Sequence, residues 1–218
     1  MKKIKDYYQV FSCFFFSLLG YQIKLELLRN SIENIVFYRS FFGTLLLLLF
    51  FFFNNKESFT KDINSNKIFI HILRSVFGVL AMYFGYNSLN YLTLSQASTI
   101  SFTKVFFSSI LAFIAFKEKI SYLVFFLILI GFIGVILISE PQNFNNNLGL
   151  YMALFSAFCV SGGIISISYL SKHENTKKIL LYHSFISSVI FFSIFNETIT
   201  FDFSNIQDYF MITVTAVV

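Results

Sequence analysis

Apolar residues in this chain come in unbroken runs of about 20, one after another along its 218 residues. In a helix, a run of that length spans the roughly 30 Å hydrocarbon core of a bilayer. Lipid offers no hydrogen bonds, so a backbone crossing it must satisfy itself, as helices or as a closed barrel. Barrel strands alternate apolar and polar side chains, and these runs do not. An all-α integral membrane protein is the expected fold. The make-up agrees: 56% of residues are hydrophobic and only 12% charged, about half the charge of an ordinary soluble domain. Spans are predicted at about 7–25, 34–53, 68–90, 92–116, 120–139, 148–170 and 179–196. An eighth begins near Tyr209 and reaches Val218 after about half a crossing. This leads to the expectation of a truncated or split reading frame.

Lys and Arg collect on the cytoplasmic side of membrane proteins, which sets orientation. With the N-terminus inside, Lys2, Lys3, Lys5, Lys56, Lys61, Lys67, Arg74, Lys117, Lys119, Lys172, Lys177 and Lys178 fall in cytoplasmic segments. Only Lys24, Arg29 and Arg39 fall outside, and Lys104 is left mid-membrane. The net charge of +5 is therefore an orientation signal spread over short loops, and no nucleic-acid partner is expected. Lys2, Lys3 and Lys5 imitate a signal peptide, but no small-residue cleavage site follows, so an uncleaved first helix is expected. The 33 Phe read as a coding bias that puts Phe where other chains use Leu. Cys13 and Cys159 lie in separate apolar runs without ligand spacing and read as small hydrophobes.

A duplication shows at an offset of about 144 residues. Phe11-Ser12-Cys13-Phe14 aligns with Phe155-Ser156-Ala157-Phe158, and Tyr38-Arg39-Ser40-Phe41 with Tyr182-His183-Ser184-Phe185. The predicted division is a five-helix repeat over 1–140, a linker over 141–147 containing Pro141 and the polar run Gln142–Asn147, and an incomplete second repeat over 148–218. Five is odd, so the second copy enters from the opposite face. Inverted repeats of this kind give secondary transporters their two-sided access.

Helical spacing sorts the polar side chains. Arg74, Gly78, Ala81, Gly85 and Ser88 form a ridge of small residues along span 3, which lets another helix approach closely. Roughly opposite, Tyr83, Asn87 and Asn90 form a polar stripe, either bonding between helices or lining an aqueous cavity. Lys104 sits near the middle of span 4. An ammonium there costs about 3 kcal/mol on translocon scales, and a lysine stem is too short to snorkel out. Lys104 must either pair with a buried carboxylate or offer its charge to an anionic ligand or a coupling proton. Ser101 and Ser108 share its face. Arg39 either snorkels to the outer surface or joins the site. Tyr182 and His183 occupy the repeat-equivalent position, His183 as a proton-handling candidate or a core histidine. His71 and Arg74 are expected to anchor to lipid headgroups. Gly131 and Gly134 are expected to permit close packing in span 5, and Lys117-Glu118-Lys119 to cap the end of span 4.

No catalytic signature is present: no zinc-protease helix, nucleophile elbow, phosphate loop or paired cysteines. No catalytic residue, metal or cofactor is expected.

Several stretches carry a family resemblance. Tyr38-Arg39-Ser40-Phe41-Phe42 and Leu73-Arg74-Ser75-Val76-Phe77-Gly78 open spans 2 and 3. Ala97-Ser98-Thr99-Ile100-Ser101-Phe102-Thr103 runs on to Lys117-Glu118-Lys119-Ile120-Ser121 and then to Gly131-Phe132-Ile133-Gly134-Val135. In order and spacing these resemble the EamA branch of the drug/metabolite transporter superfamily. The resemblance implies ten helices in two inverted five-helix halves, a centrally held substrate and alternating access. The family usually has Pro mid-way along span 4, where this chain has Lys104, so no kink is expected there. A Lys at that point is similar to the nucleotide-sugar and sugar-phosphate relatives, which carry anions.

The expectation is thus a bacterial inner-membrane transporter, N-terminus cytoplasmic, moving a small polar, anionic metabolite. Lys104, Ser101, Ser108, Tyr83, Asn87, Arg39, Tyr182 and His183 are the candidate site. The alternatives are a fragment that needs a homodimer or complementary half, or is inactive, and a lipid-modifying membrane enzyme, which would require a carboxylate, His or Cys constellation. A lipophilic-cation pump would instead need a buried acid in place of Lys104.

Overall fold

In a computed structural model of the chain, residues 2–54, 65–117, 122–138, 148–199 and 206–217 are described. Among them are helices α1 (Lys2–Glu26), α2 (Ile32–Asn54), α3 (Ile68–Ser88), α4 (Leu94–Ser101), α5 (Lys104–Phe116), α6 (Tyr122–Ile138), α7 (Leu148–Leu170), α8 (Thr176–Phe195) and α9 (Ile206–Val217). Every predicted span finds its helix. The predicted linker, together with Lys56, Lys61, Glu118 and Lys119, lies outside the described residues.

Five helical stretches among the described residues are long and apolar enough to cross a membrane: Ile32–Phe50, Ile68–Ser88, Leu94–Phe116, Leu148–Leu170 and Thr176–Phe195. Large apolar side chains cover the outside as well as the core. Phe53, Phe69, Leu123, Leu127 and Ile194 stand outside, on a surface that water covers poorly and lipid covers well. Leu19, Ile23, Ile35, Val36, Phe37 and Phe191 fill one core, and the face of α7 that turns inward is lined by small residues. Gly149, Ala153, Ser156, Ala157, Gly162, Gly163 and Ser166 make up most of the buried face of α7. Without a hydrophobic drive between helices in lipid, such close backbone approach is what holds them together. The chain is a multi-pass α-helical membrane protein.

The small-residue ridge of α3 does what its spacing predicts. It packs along α7, where Ser156 Oγ donates to the Ala81 carbonyl at 2.7 Å. A Cβ on Gly85 would come within 2.8 Å of the same hydroxyl. Around this pair, α2 lies on α8, α3 on α8, α9 on both α1 and α2, and α4 and α5 on α7. Rings join α2 to its neighbours: Tyr38 stacks on Tyr209 at 4.6 Å and Phe37 meets Phe192 at 5.8 Å. At one end Lys24 donates to the carbonyls of Leu89 and Leu92, two acceptors in the turn after α3. Thr93 and Gln96 then form a capping box that starts α4.

Two expectations are corrected here. Span 4 is interrupted at Phe102–Thr103 without any proline. Phe102 N–H bonds back to Thr99, Thr103 to Ile100 and Val105 to Phe102, a tightened three-residue spacing. The hydroxyls of Ser98, Thr99, Ser101 and Thr103 all donate to carbonyls three or four residues earlier. Such back-bonding competes with the helical ladder and bends it. In span 5, a Cβ on Gly131 or Gly134 would meet nothing within 4 Å among the described residues. These glycines face outward and mediate no helix contact there. The end of α5 turns at Lys117 in the left-handed region, φ 55°.

Candidate functional site

The most buried stretch of α2 runs from Asn34 to Ser40, and Arg39 lies within it. Its guanidinium does not turn out to the surface. It reaches across to α3, where Nη1 donates to the Tyr86 hydroxyl and lies 3.1 Å from Met82 Sδ. Lower on α3, Arg74 Nη1 lies 3.5 Å from His183 Nδ1 on α8, and Ser187 Oγ lies 3.2 Å from the same nitrogen. Arg39 is within electrostatic reach of His183 as well. Three helices thus bring two guanidiniums and an imidazole into one seam. Gly78 makes the contact possible: a Cβ there would overlap the His183 ring and stand 2.9 Å from Arg74 Nη1.

A second cluster closes one end of the seam. Glu174, in the turn between α7 and α8, accepts from Ser65 Oγ at 2.5 Å and pairs with His71 Nε2 at 2.6 Å. Lys178 Nζ is 3.8 Å away on its other side. Burial pushes the Glu174 carboxyl up, but the Ser65 and His71 hydrogen bonds and the His71 and Lys178 charges outweigh it. They hold the carboxyl below its usual range. Tyr182 stacks on His71 at 4.4 Å. The expected headgroup anchors are therefore corrected: His71 is 1% exposed and ion-paired, and Arg74 points inward to His183. Both sit on faces of α3 that pack against α7 and α8, where lipid does not reach.

The remaining predicted site residues are spread more widely. Tyr83 stacks on Phe195 at 5.3 Å, against α8, and Asn87 is half-buried near the end of α3. The Lys104 backbone carbonyl accepts from Ser161 of α7 at 2.8 Å. Its ammonium lies over the rings of Phe16 and Phe102, which are 68% and 64% exposed. Ser101 and Ser108 donate to their own helix, to Ser98 and Val105. Arg39, Tyr182 and His183 thus share one seam with His71 and Arg74. Lys104 stands at the start of α5.

Sequence reasoning did not find Arg74, Tyr86, Met82 or the His71–Glu174 pair as seam members. Arg74 alone carried a signal, because it lies on the same small-residue ridge that had to face another helix. The others pair across 43 to 103 residues, a separation that leaves no local pattern. Elsewhere, a cavity of about 350 Å³ lies between α1 and α9, lined by Gln22, Glu26, Arg29 and Asp208 among others. Among the described residues no group of three or more His, Cys, Asp or Glu side chains could hold a metal.

A helical membrane bundle whose polar side chains point at one another across an interior seam has the form of a solute carrier. The chain matches the model of the EamA-like transporter family over residues 4–140 and belongs to that family. It is similar to the pseudopaline exporter of Pseudomonas aeruginosa, 23% identical over 182 residues, which is 83% of this chain and 62% of the relative. It is similar also to the S-adenosylmethionine uptake transporters of Rickettsia bellii and Rickettsia felis, 27% and 28% identical over 162 residues. Those alignments cover 72% of this chain and 52% of each relative. The chain therefore spans between half and two thirds of the length of the curated relatives it matches. Family and relatives are transporters, not enzymes. No solved structure matches the chain.

Proposed function

We propose that this chain is a secondary transporter of a small polar, anionic metabolite, working by alternating access between two inverted repeats, 1–140 and the incomplete 148–218. The single observation that carries the reading is the pairing of helices. If α1, α2 and α3 correspond to α7, α8 and α9, the contact of α3 with α7 has its counterpart in α9 with α1. That of α3 with α8 has its counterpart in α9 with α2, and α2 with α8 maps onto itself. Residues 144 apart then behave alike. Arg39 and His183 lie within electrostatic reach of each other where α2 meets α8. Tyr38 and Tyr182 each stack on the third helix of the other half, on Tyr209 and His71. A site on the axis relating two halves is one that either half can open by rocking against the other.

In this reading the N-terminus is cytoplasmic, the membrane is the bacterial inner membrane, and the His71–Glu174 cluster ties the halves together on the cytoplasmic side. Lys104, with Ser101 and Ser108, lines the path together with Tyr83 and Asn87. The relatives' cargoes are small molecules, pseudopaline exported in one case and S-adenosylmethionine taken up in the other, which supports a small-molecule cargo here.

The test needs no knowledge of the cargo. With Cys13 and Cys159 replaced by alanine, single cysteines at Ser75 and Tyr86 are challenged with an impermeant thiol reagent from each side of sealed vesicles. Alternating access predicts that Ser75→Cys reacts from the cytoplasmic side and Tyr86→Cys from the other. Locking one opening with a bulky adduct should then protect the second position. Reaction of both from one side only, with no mutual protection, removes the reading.

A further inference from the structure

Resting on the transporter reading, the seam also names the chemistry of the cargo. We propose that Arg39, Arg74 and His183 form the seat for an oxoanion group, a carboxylate or a phosphate, on the transported metabolite.

The first argument is charge. Both guanidiniums lie within membrane-crossing helices, and their partners are neutral: Tyr86 and Met82 for Arg39, His183 for Arg74. Among the described residues the ion pairs all involve Glu174, whose partners are His71 and Lys178. Both are half-buried, and a cation held inside a membrane-crossing helix bundle without a counter-charge is costly. A protein that keeps such a pair has a use for it, and the use that relieves the cost is an arriving anion.

The second argument is hydrogen-bond direction. Arginine only donates, so the His183 Nδ1 facing it carries no proton and the neutral ring keeps its N–H at Nε2. The Tyr86 hydroxyl accepts from Arg39, which leaves its own hydrogen to give. Arg74 Nε and Ser75 Oγ are buried with no hydrogen-bond partner among the described residues. The seam is thus rich in donors and poor in acceptors. Planar guanidiniums grip carboxylate and phosphate oxygens two at a time, which makes such a set selective for oxoanions over neutral polar groups.

Spacing is the third. Arg74 and His183 meet at the level of Gly78, and Arg39 meets α3 at Met82 and Tyr86. Four to eight residues of helix separate the two levels by about 6–12 Å. A small metabolite spans that gap with one charged group or with two.

The experiment measures binding of ¹⁴C-citrate and, separately, ³²P-phosphate to the purified protein in lipid-free detergent at low salt, with the neutral citric triamide as control. At least one anion should bind saturably and the triamide should not. Arg39→Gln and Arg74→Gln should each weaken binding about 10- to 100-fold. Arg39→Lys and Arg74→Lys, which keep the charge and lose the fork, should weaken it less. Gly78→Ala, which displaces the Arg74–His183 contact, should weaken it too. Unchanged thermal unfolding of each variant separates lost binding from lost fold, and a variant that fails this check is judged by its Lys counterpart. Citrate alone assigns a carboxylate cargo and phosphate alone a phosphorylated one. Phosphate binding abolished by added phosphatidylglycerol makes the site a lipid-headgroup site and overturns the proposal. Binding of neither anion, or binding untouched by both Gln variants, also overturns it. Thiol accessibility judges the transporter reading separately, so either can fall while the other stands.

Discussion

The His71–Glu174 pair offers a test with a magnitude and a sign. Glu174 accepts two charge-assisted hydrogen bonds, from Ser65 and His71, each worth about 1.5–3 kcal/mol. Glu174→Ala should therefore cost about 3 kcal/mol. His71→Ala removes a fully buried ring stacked on Tyr182 and strands the carboxylate, which should cost about 3–5 kcal/mol. Because each mutation destroys the same bond, the double variant should be less unstable than the sum of the two by about 1.5–3 kcal/mol. The assay is reversible unfolding in mixed detergent micelles as the denaturing fraction rises. The coupling should also depend on pH. The folded Glu174 carboxyl is held below its unfolded value, near 4.3, so its contribution is complete above that pH. It is lost as the pH falls through the lower folded value. Additivity within about 0.5 kcal/mol at pH 7 would refute the argument that this pair joins the two halves.

Other perturbations follow from single contacts. Gly162→Ala forces a Cβ to within 2.9 Å of the Phe77 ring and should destabilise by about 1–3 kcal/mol in the same assay. Gly131→Ala, in open space, should be neutral or stabilise by about 0.5–1 kcal/mol. Thr93→Ala removes the cap of α4 and should cost about 1 kcal/mol. Lys104→Ala should leave insertion intact and lower tracer flux of whichever anion binds; unchanged flux would take Lys104 out of the cargo path.

How far the sequence carried the site differs residue by residue. Arg39 and His183 were singled out together through the 144-residue offset between Tyr38–Phe41 and Tyr182–Phe185, a pattern that survives in one dimension. Arg74 was assigned to the membrane surface because it lies within two turns of the start of its span, where snorkelling is the usual outcome. Its position on the Gly78–Gly85 ridge carried the truer signal. The interruption in span 4 was missed because proline was taken as the cause of breaks, while here the turn tightens at Phe102–Thr103 with no proline. Lys104 drew attention by its depth, and only the structure shows its ammonium over the rings of Phe16 and Phe102.

By itself the sequence determined that the chain crosses a membrane as helices and roughly where each helix lies along the chain. Those are consequences of solvent, and solvent acts on each segment separately. Tertiary structure alone decided which helix meets which, and therefore which charges face one another. Neither Arg39 against Tyr86 nor His71 against Glu174 leaves a trace in the neighbouring residues, since a long-range contact is fixed by the packing of whole helices.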